Sequence, residues 1–223
     1  MKSDAFANDL ALLIYKATAF ANVADNAGTS PITDIYLAIH TAYPGLGNTQ
    51  DQSECDYTDY ARVAVARGAG FDVSGRVVTL AADEDFPENG DGTGDQEAFW
   101  WSTGPGASGA TDIFDMGPIG SVLGPFCAAT DDNITIPGLS GLAEDDRIAF
   151  EAIAGSSLPT GITAGVAYWV ISVSSDVITV STTEGGGAVD ITAAGDGIAY
   201  RLTPITITEG VIPRLKAATS ITW

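Results

Sequence analysis

Basic residues are scarce in this chain: nine lysines and arginines stand against 29 aspartates and glutamates across 223 residues, with a single histidine. A formal charge of −20 repels nucleic acid and anionic membranes, so neither is an expected partner. Acidity of this size keeps a protein made in many copies soluble, or meets a basic surface on a partner. Two cysteines, Cys55 and Cys127, are too few for a disulfide framework. No apolar run approaches the ~18 residues of a membrane helix, and no signal peptide is expected ahead of the fold. Catalytic patterns are missing too: there is no Gly-x-Ser-x-Gly elbow, no Cys-x-x-Cys and no His-x-x-x-His. Gly90-Asp-Gly-Thr-Gly94 lacks the lysine and following helix that phosphate binding requires. The expectation is therefore a protein that is not an enzyme, with no catalytic residue, cofactor or metal ligand assigned.

What is present points to β structure: 26 glycines, 10 prolines and many Val, Ile and Thr residues. Tyr60 to Arg67 alternates, with Ala61, Val63 and Val65 on one face and Tyr60, Arg62, Ala64 and Ala66 on a wet one, until Gly68 and Gly70 end the strand. Upstream, Asp34 to Thr41 reads as a partner strand ended by Tyr43-Pro44-Gly45, and the polar stretch 45–56 between the two reads as a surface connection. His40, on the even face with Tyr36 and Ala38, is expected to be a half-buried structural histidine. Ser3 to Ala17 is the one convincing helix. Phe6, Leu10, Leu13, Ile14 and Ala17 recur at three- and four-residue spacing behind a Ser3 N-cap, a stripe suited to covering the open side of a sandwich.

Further along, Arg76 to Leu80 reads as a strand. Asp83 to Glu97 carries seven acids and no base. Read as a calcium loop from Asp85, it places Asn89 and Gly90 well but puts Pro87 and Gln96 at ligand positions, so the pattern fails and a solvated acidic loop is expected. Ala98 to Ser102 reads as a strand whose adjacent Trp100 and Trp101 face opposite ways, one into the core and one towards a rim or interface. Ile113 to Cys127 is punctuated by two Gly-Pro pairs, suggesting short edge segments, with Cys127 as a small core residue. From about Thr130 to Thr203 short alternating strands follow one another at Arg147–Phe150, Tyr168–Val173, Val177–Ser181, Val189–Ile191 and Ile198–Tyr200.

The succession of a helix, Ile35-Tyr-Leu-Ala-Ile-His-Thr-Ala-Tyr-Pro-Gly45, a polar loop with Glu54-Cys55, and Tyr57-Thr-Asp-Tyr-Ala-Arg-Val-Ala-Val-Ala-Arg67 resembles small tailed-phage virion proteins. That family is often labelled tail-fibre-like, and some members resemble jelly-roll capsid cement proteins. The likeness continues through Trp100 to Ala110 and returns from Pro204 to Trp223. The phrase Leu158 to Val170 is similar to a small β module of phage tail and decoration proteins, and interrupts the family frame as an insertion would.

The resemblance implies an all-β, jelly-roll-like β-sandwich with one N-terminal helix and a second small β domain inserted near the C-terminus. Its frame would be residues 1–129 with 204–223, and its module residues 130–203. It implies a capsid decoration protein on the virion exterior, assembled in the host cytoplasm, where thiols stay reduced. Its partners would be the major capsid protein and copies of itself. The alternative is a tail-fibre or receptor-binding module for a host glycan. Tyr60, Trp100 and Trp101 are the interface candidates, provided that they lie outside the core.

Overall fold

In the computed structural model the described residues are 4–19, 32–45, 47–153 and 155–222. Ser3, the Phe6 side chain and the expected loop 24–31 lie outside them. Helix α1 (Asp4–Lys16) leads into strands β1 (Asp34–His40), β2 (Val63–Ala66), β3 (Phe71–Ser74), β4 (Val77–Leu80), β5 (Glu84–Asp85), β6 (Gln96–Ala98), β7 (Trp100–Gly104) and β8 (Asp115–Pro118). Next come β9 (Gly120–Ala128), β10 (Ile134–Thr135), β11 (Arg147–Glu151), β12 (Tyr168–Ser174), β13 (Val177–Ser181) and β14 (Gly195–Leu202). Strands β15 (Ile205–Ile207), β16 (Arg214–Leu215) and β17 (Ser220–Thr222) close the chain. The fold is all-β with one N-terminal helix. It divides into two compact units, one of residues 1–117 with 205–223 and one of Pro118–Pro204.

In the first unit β1 is the central strand of a four-stranded sheet ordered β2-β1-β7-β8. It pairs antiparallel with β2 from Asp34↔Ala66 to Leu37↔Val63, and with β7 from Tyr36↔Gly104 to His40↔Trp100. Both faces of β1 are covered from Leu37 to His40, so its side chains read as an unbroken apolar run rather than an alternation. A second sheet, ordered β17-β4-β3, lies across the core, and Leu37, Trp101 and Thr103 of the first sheet share one small void with Phe71, Val78, Leu80 and Ile221 of the second. Two sheets enclosing one apolar layer make a sandwich. Short ribbons β15-β6 and β16-β5 tie the C-terminal segment into the same unit.

The helix is held by its carbonyl end. The last carbonyls of any helix have no partner within it. Here Ala17 adopts a left-handed φ of 54° and Thr18 N–H donates back to Leu12 O at 3.1 Å. The Arg67 guanidinium donates to Leu13 O and Ile14 O, and Gly68 N–H takes Tyr15 O at 2.6 Å. Lys16 Nζ reaches across to Gly68 O and Phe71 O at 2.7 and 2.8 Å. Ala11 and Tyr15 are buried, and the Tyr15 ring meets Phe71 edge-on at 4.9 Å.

The second unit is a closed barrel in the order β10-β13-β12-β11-β14-β9. Its centre is filled by inward residues including Ile134, Ile148, Phe150, Tyr168, Val170, Ile178 and Ala199. The unit begins at Pro118, ahead of the boundary near 130 that composition suggests, because β9 belongs to the barrel. Residues 120–128 are one strand, not short edge pieces. They pair with β14 from Gly120↔Leu202 to Ala128↔Gly195 and with β10 at Cys127 and Ala128. Pro125 is tolerated where the ladder slips by a residue at Leu123, next to Gly124 with φ 132°. Cys127 faces outward and is exposed, correcting its expected core position, and both cysteines are free. Val189–Ile191 forms no strand, although Ile191 is buried.

Candidate functional site

The richest polar chemistry in the first unit is inside it. Residues 49–62 do not form a purely surface connection. Thr41 N–H donates to Ser53 O and Cys55 N–H to Ile39 O, both at 2.9 Å, folding the segment along the end of β1. This brings Gln50, Glu54, Tyr60 and Arg62 against His40 of β1 and Ser102 of β7. Tyr60 N–H closes a turn onto Tyr57 O before β2 begins, so the alternation expected from residue 60 starts only at Val63. β2 is also an edge strand, and Arg62, expected on its wet face, has a side chain only 1% exposed.

Arg62 satisfies its whole donor fork. Nε and Nη2 donate to the two oxygens of Glu54 at 2.7 and 2.8 Å; Nη1 reaches Thr111 Oγ1 at 2.8 Å, Gly106 O at 3.0 Å and Gln50 Oε1 at 3.2 Å; Nη2 also reaches Gly109 O at 2.8 Å. Burial opposes the charge, and the hydrogen-bonded Glu54 carboxylate more than offsets it, so the guanidinium is held above its ordinary pKa. The two glycine carbonyls pin the turn 104–109 from within. Tyr60 donates its hydroxyl to Glu54 Oε1 at 2.8 Å and accepts Ile39 N–H at 3.3 Å; burial, then the Glu54 charge, pushes its pKa well up.

The protons of the neighbouring chain follow from its ends. The carbonyl of Gln52, 3.0 Å from His40 Nδ1, can only accept, so Nδ1 carries the hydrogen. The other nitrogen, Nε2, then accepts from the Ser102 hydroxyl at 2.8 Å, and Gln50 Nε2 donates to Ser102 Oγ at 3.3 Å. Burial lowers the His40 pKa to about 4, so the ring is neutral near pH 7. A serine donating to a neutral histidine has the geometry of an activated nucleophile. Both side chains are 0% exposed, however, and no substrate atom can reach Oγ in this conformation. The arrangement holds β1, β7 and the 49–62 segment together.

The interface candidates are placed plainly. Trp100 is 1% exposed and meets Tyr43 edge-on at 4.8 Å; Trp101 is 5% exposed, its ring packed on Gly117. The expectation that one tryptophan faces a rim is corrected, because both sides of β7 are covered. Tyr60 is half-buried, its ring edge-on to Tyr57 at 5.3 Å and stacked on Phe86 at 6.2 Å. None of the three offers a free anchor. Large apolar side chains that do reach solvent are Ile32, Val77, Phe114 and Ile212 in the first unit and Val122, Ile153 and Val166 in the second, with Val122 at 66% the most open. Sequence reasoning missed the Arg62 cluster. Its one available signal was an arginine opposite a glycine-rich turn in a chain with few bases.

Among the described residues no group of three or more His, Cys, Asp or Glu side chains converges on a metal position, and no helix is long and apolar enough to cross a membrane. Comparison with protein-family models, with curated proteins and with solved structures found no match.

Proposed function

We propose that this chain is a structural virion protein of a tailed phage, a capsid decoration (cement) protein. Its first unit binds the major capsid protein on the shell exterior and stabilises the expanded head. The supporting observation is where the family-like segments lie. Residues 35–45, 57–67 and 100–110 contribute β1, β2, β7 and the Arg62-pinned turn, and they pair with one another. The returning segment 204–223 supplies β15, β16 and β17 to the same unit. The likeness therefore maps onto one folded body, and the second phage-like phrase maps onto a separately closed barrel.

The mechanism is mechanical. Each copy buries surface across neighbouring shell subunits, and copies of the chain associate with one another. Binding the assembled shell and not its dissociated subunits raises shell stability by mass action. No bond is made or broken and no cofactor takes part. Assembly takes place in the host cytoplasm, where both thiols remain free.

The test is a melting curve of expanded, undecorated capsids with and without the purified protein, together with its copy number per particle. Disruption should shift to higher temperature as free protein rises, and hundreds of copies should be present. An unchanged curve with binding to host cells, at a handful of copies per particle, overturns this reading in favour of a receptor-binding tail component.

A further inference from the structure

We infer that the buried cluster against β1 and β7 is a self-modification site, where Ser102 Oγ attacks the side-chain amide of Gln50 and leaves an internal ester cross-link. Sealed from solvent, Ser102 has both a base and an electrophile beside it inside the chain. Its hydroxyl donates to His40 Nε2 at 2.8 Å, and Gln50 Nε2 lies 3.3 Å from the same oxygen. The first contact is that of a serine with its general base. The second puts an acyl group next to the nucleophile.

The orientation of the Gln50 amide is fixed by partners that have one role each. Arg62 Nη1 can only donate, and it reaches Oε1 at 3.2 Å; the Tyr36 carbonyl can only accept, and it takes Nε2 at 3.1 Å. Thr111 Oγ1 adds a second donor to Oε1 at 2.9 Å. A guanidinium and a hydroxyl thus hold the carbonyl oxygen, where a tetrahedral intermediate would place its negative charge. Gly104 makes the seat. A Cβ there would lie 2.1 Å from Gln50 Oε1 and 2.4 Å from Cδ, so any side chain would displace the amide from the sheet. A structural glutamine needs its hydrogen bonds only; this one also has a nucleophile and its base on one side and a cationic oxyanion site on the other.

The step balances without a co-reactant. A partial turn about the Gln50 Cγ–Cδ bond presents the face of Cδ to Oγ, and reaction requires the two at ~3–3.5 Å. Oγ bonds to Cδ as its proton passes to His40 Nε2. The tetrahedral adduct then collapses, the Cδ–Nε2 bond breaks, and His40 returns the proton to the departing nitrogen. Ester and ammonia replace alcohol and amide, with no change of oxidation state. His40 is neutral near pH 7, so its lone pair is free for the first transfer, and as a weak base it suits a slow step that happens once. Ammonia is lost to solvent and protonated there, which draws the exchange forward, while the closed site keeps water from the ester. The link joins the 49–62 segment to the middle of β7. It forms within the chain and is separate from the binding of any partner.

The experiment is intact mass spectrometry on the full native chain, followed by tryptic mapping after reduction and alkylation. The chain should be lighter than its sequence by one ammonia. Tryptic peptides 17–62 and 77–147, which carry Gln50 and Ser102, should appear as one linked species. Cys55 and Cys127 lie on the same two peptides, and reduction removes a disulfide as the source of the link. Hydroxylamine added to the unfolded chain should split the pair, since it cleaves esters and spares amides. Ser102→Ala should restore the full mass, and His40→Asn should slow the loss of ammonia after synthesis on the order of 10²-fold. An aged native chain of unmodified mass, with two separate peptides, overturns the proposal and leaves the cluster a hydrogen-bonded brace. A link that survives in Ser102→Ala, or one that maps to Thr111, overturns Ser102 as the nucleophile.

Discussion

Arg62 shows why the interior of the first unit could not be read from periodicity. Its place in an alternating stretch marks it as solvent-facing, and only the turn at Tyr57–Tyr60 brings it under the 104–109 segment to meet Glu54. Removing one partner of a buried pair leaves the other charged and unpaired, at a cost of about 3–5 kcal/mol. Arg62→Ala should therefore lower the urea midpoint by that much stability and free the 104–109 turn for proteolysis. A loss below about 1 kcal/mol, the scale of surface pairs, would show that the pair is not sealed. His40 gives a pH test. Its folded pKa of about 4 lies below the ordinary 6.5, so the unfolded chain takes up the proton first. Its contribution is unchanged above pH 6.5. As pH falls towards 4 the fold loses stability, by about 3 kcal/mol at about 1.36 kcal/mol per unit, and the loss levels off below that. Glu54 and Arg62 also face this cluster, so the measurement is a difference: urea unfolding at pH 7 and pH 4.5 for the native chain and for His40→Asn. The native chain should lose more between the two, and equal losses would remove His40 as the cause. That His40 is covered at all was legible from its place in the apolar strand 34–41, beside Tyr36 and Ala38 on the even face. Its complete burial was not, because it depends on a loop that reads as polar surface.

At the scale of elements, the strands with strong β-branched patterns were legible: β1, β4, β11, β12 and β13 lie close to where alternation puts them. The failures share a cause. β9 was broken on paper by Gly124-Pro125, and only pairing with β14 shows that the ladder absorbs the proline with a bulge. The module boundary moved with it. Gly120 lies opposite Leu202, Thr203 N–H donates to Ile119 O at 2.8 Å, and a Cβ at Gly120 would come within 1.9 Å of Arg201 O. The chain thus enters and leaves the barrel along one paired neck, which a short linker can replace. Deleting 118–204 and joining Gly117 to Ile205 through a few Gly/Ser residues should leave a cooperative thermal transition for the first unit. Deleting 130–203 instead strands β9 without β10 or β14, uncovers Phe126, and should give an aggregating product. If the shorter deletion folds as well as the longer one, β9 is not integral to the barrel.

For the whole molecule the decisive quantity is the balance of charge. The first unit holds 19 acids and seven bases, a balance of −12, and the barrel ten acids and two bases, a balance of −8. Of the bases in the first unit, Arg62 is sealed on Glu54, Arg67 and Lys16 are spent on backbone carbonyls at the end of α1, and Arg214 and Lys216 sit on Asp83 and Asp85. These contacts neutralise no net charge, so the excess of acids stands, and Asp91, Asp95 and Glu209 are exposed. Such a field acts mainly on encounter, since exposed charges are screened beyond about 10 Å at 0.1 M salt and contribute little once surfaces have docked. If the proposed shell partner presents a basic surface to the acidic stretch 83–97, association with capsids should slow by roughly tenfold or more between about 0.05 and 0.5 M NaCl, with dissociation changing much less. Stopped-flow light scattering on expanded capsids measures both rates. The change Glu88→Gln should lessen the salt dependence of association without altering the melting temperature of the protein, because its side chain is exposed. An association rate indifferent to salt would mean that the acidic face points away from the shell, leaving the charge a role in solubility alone.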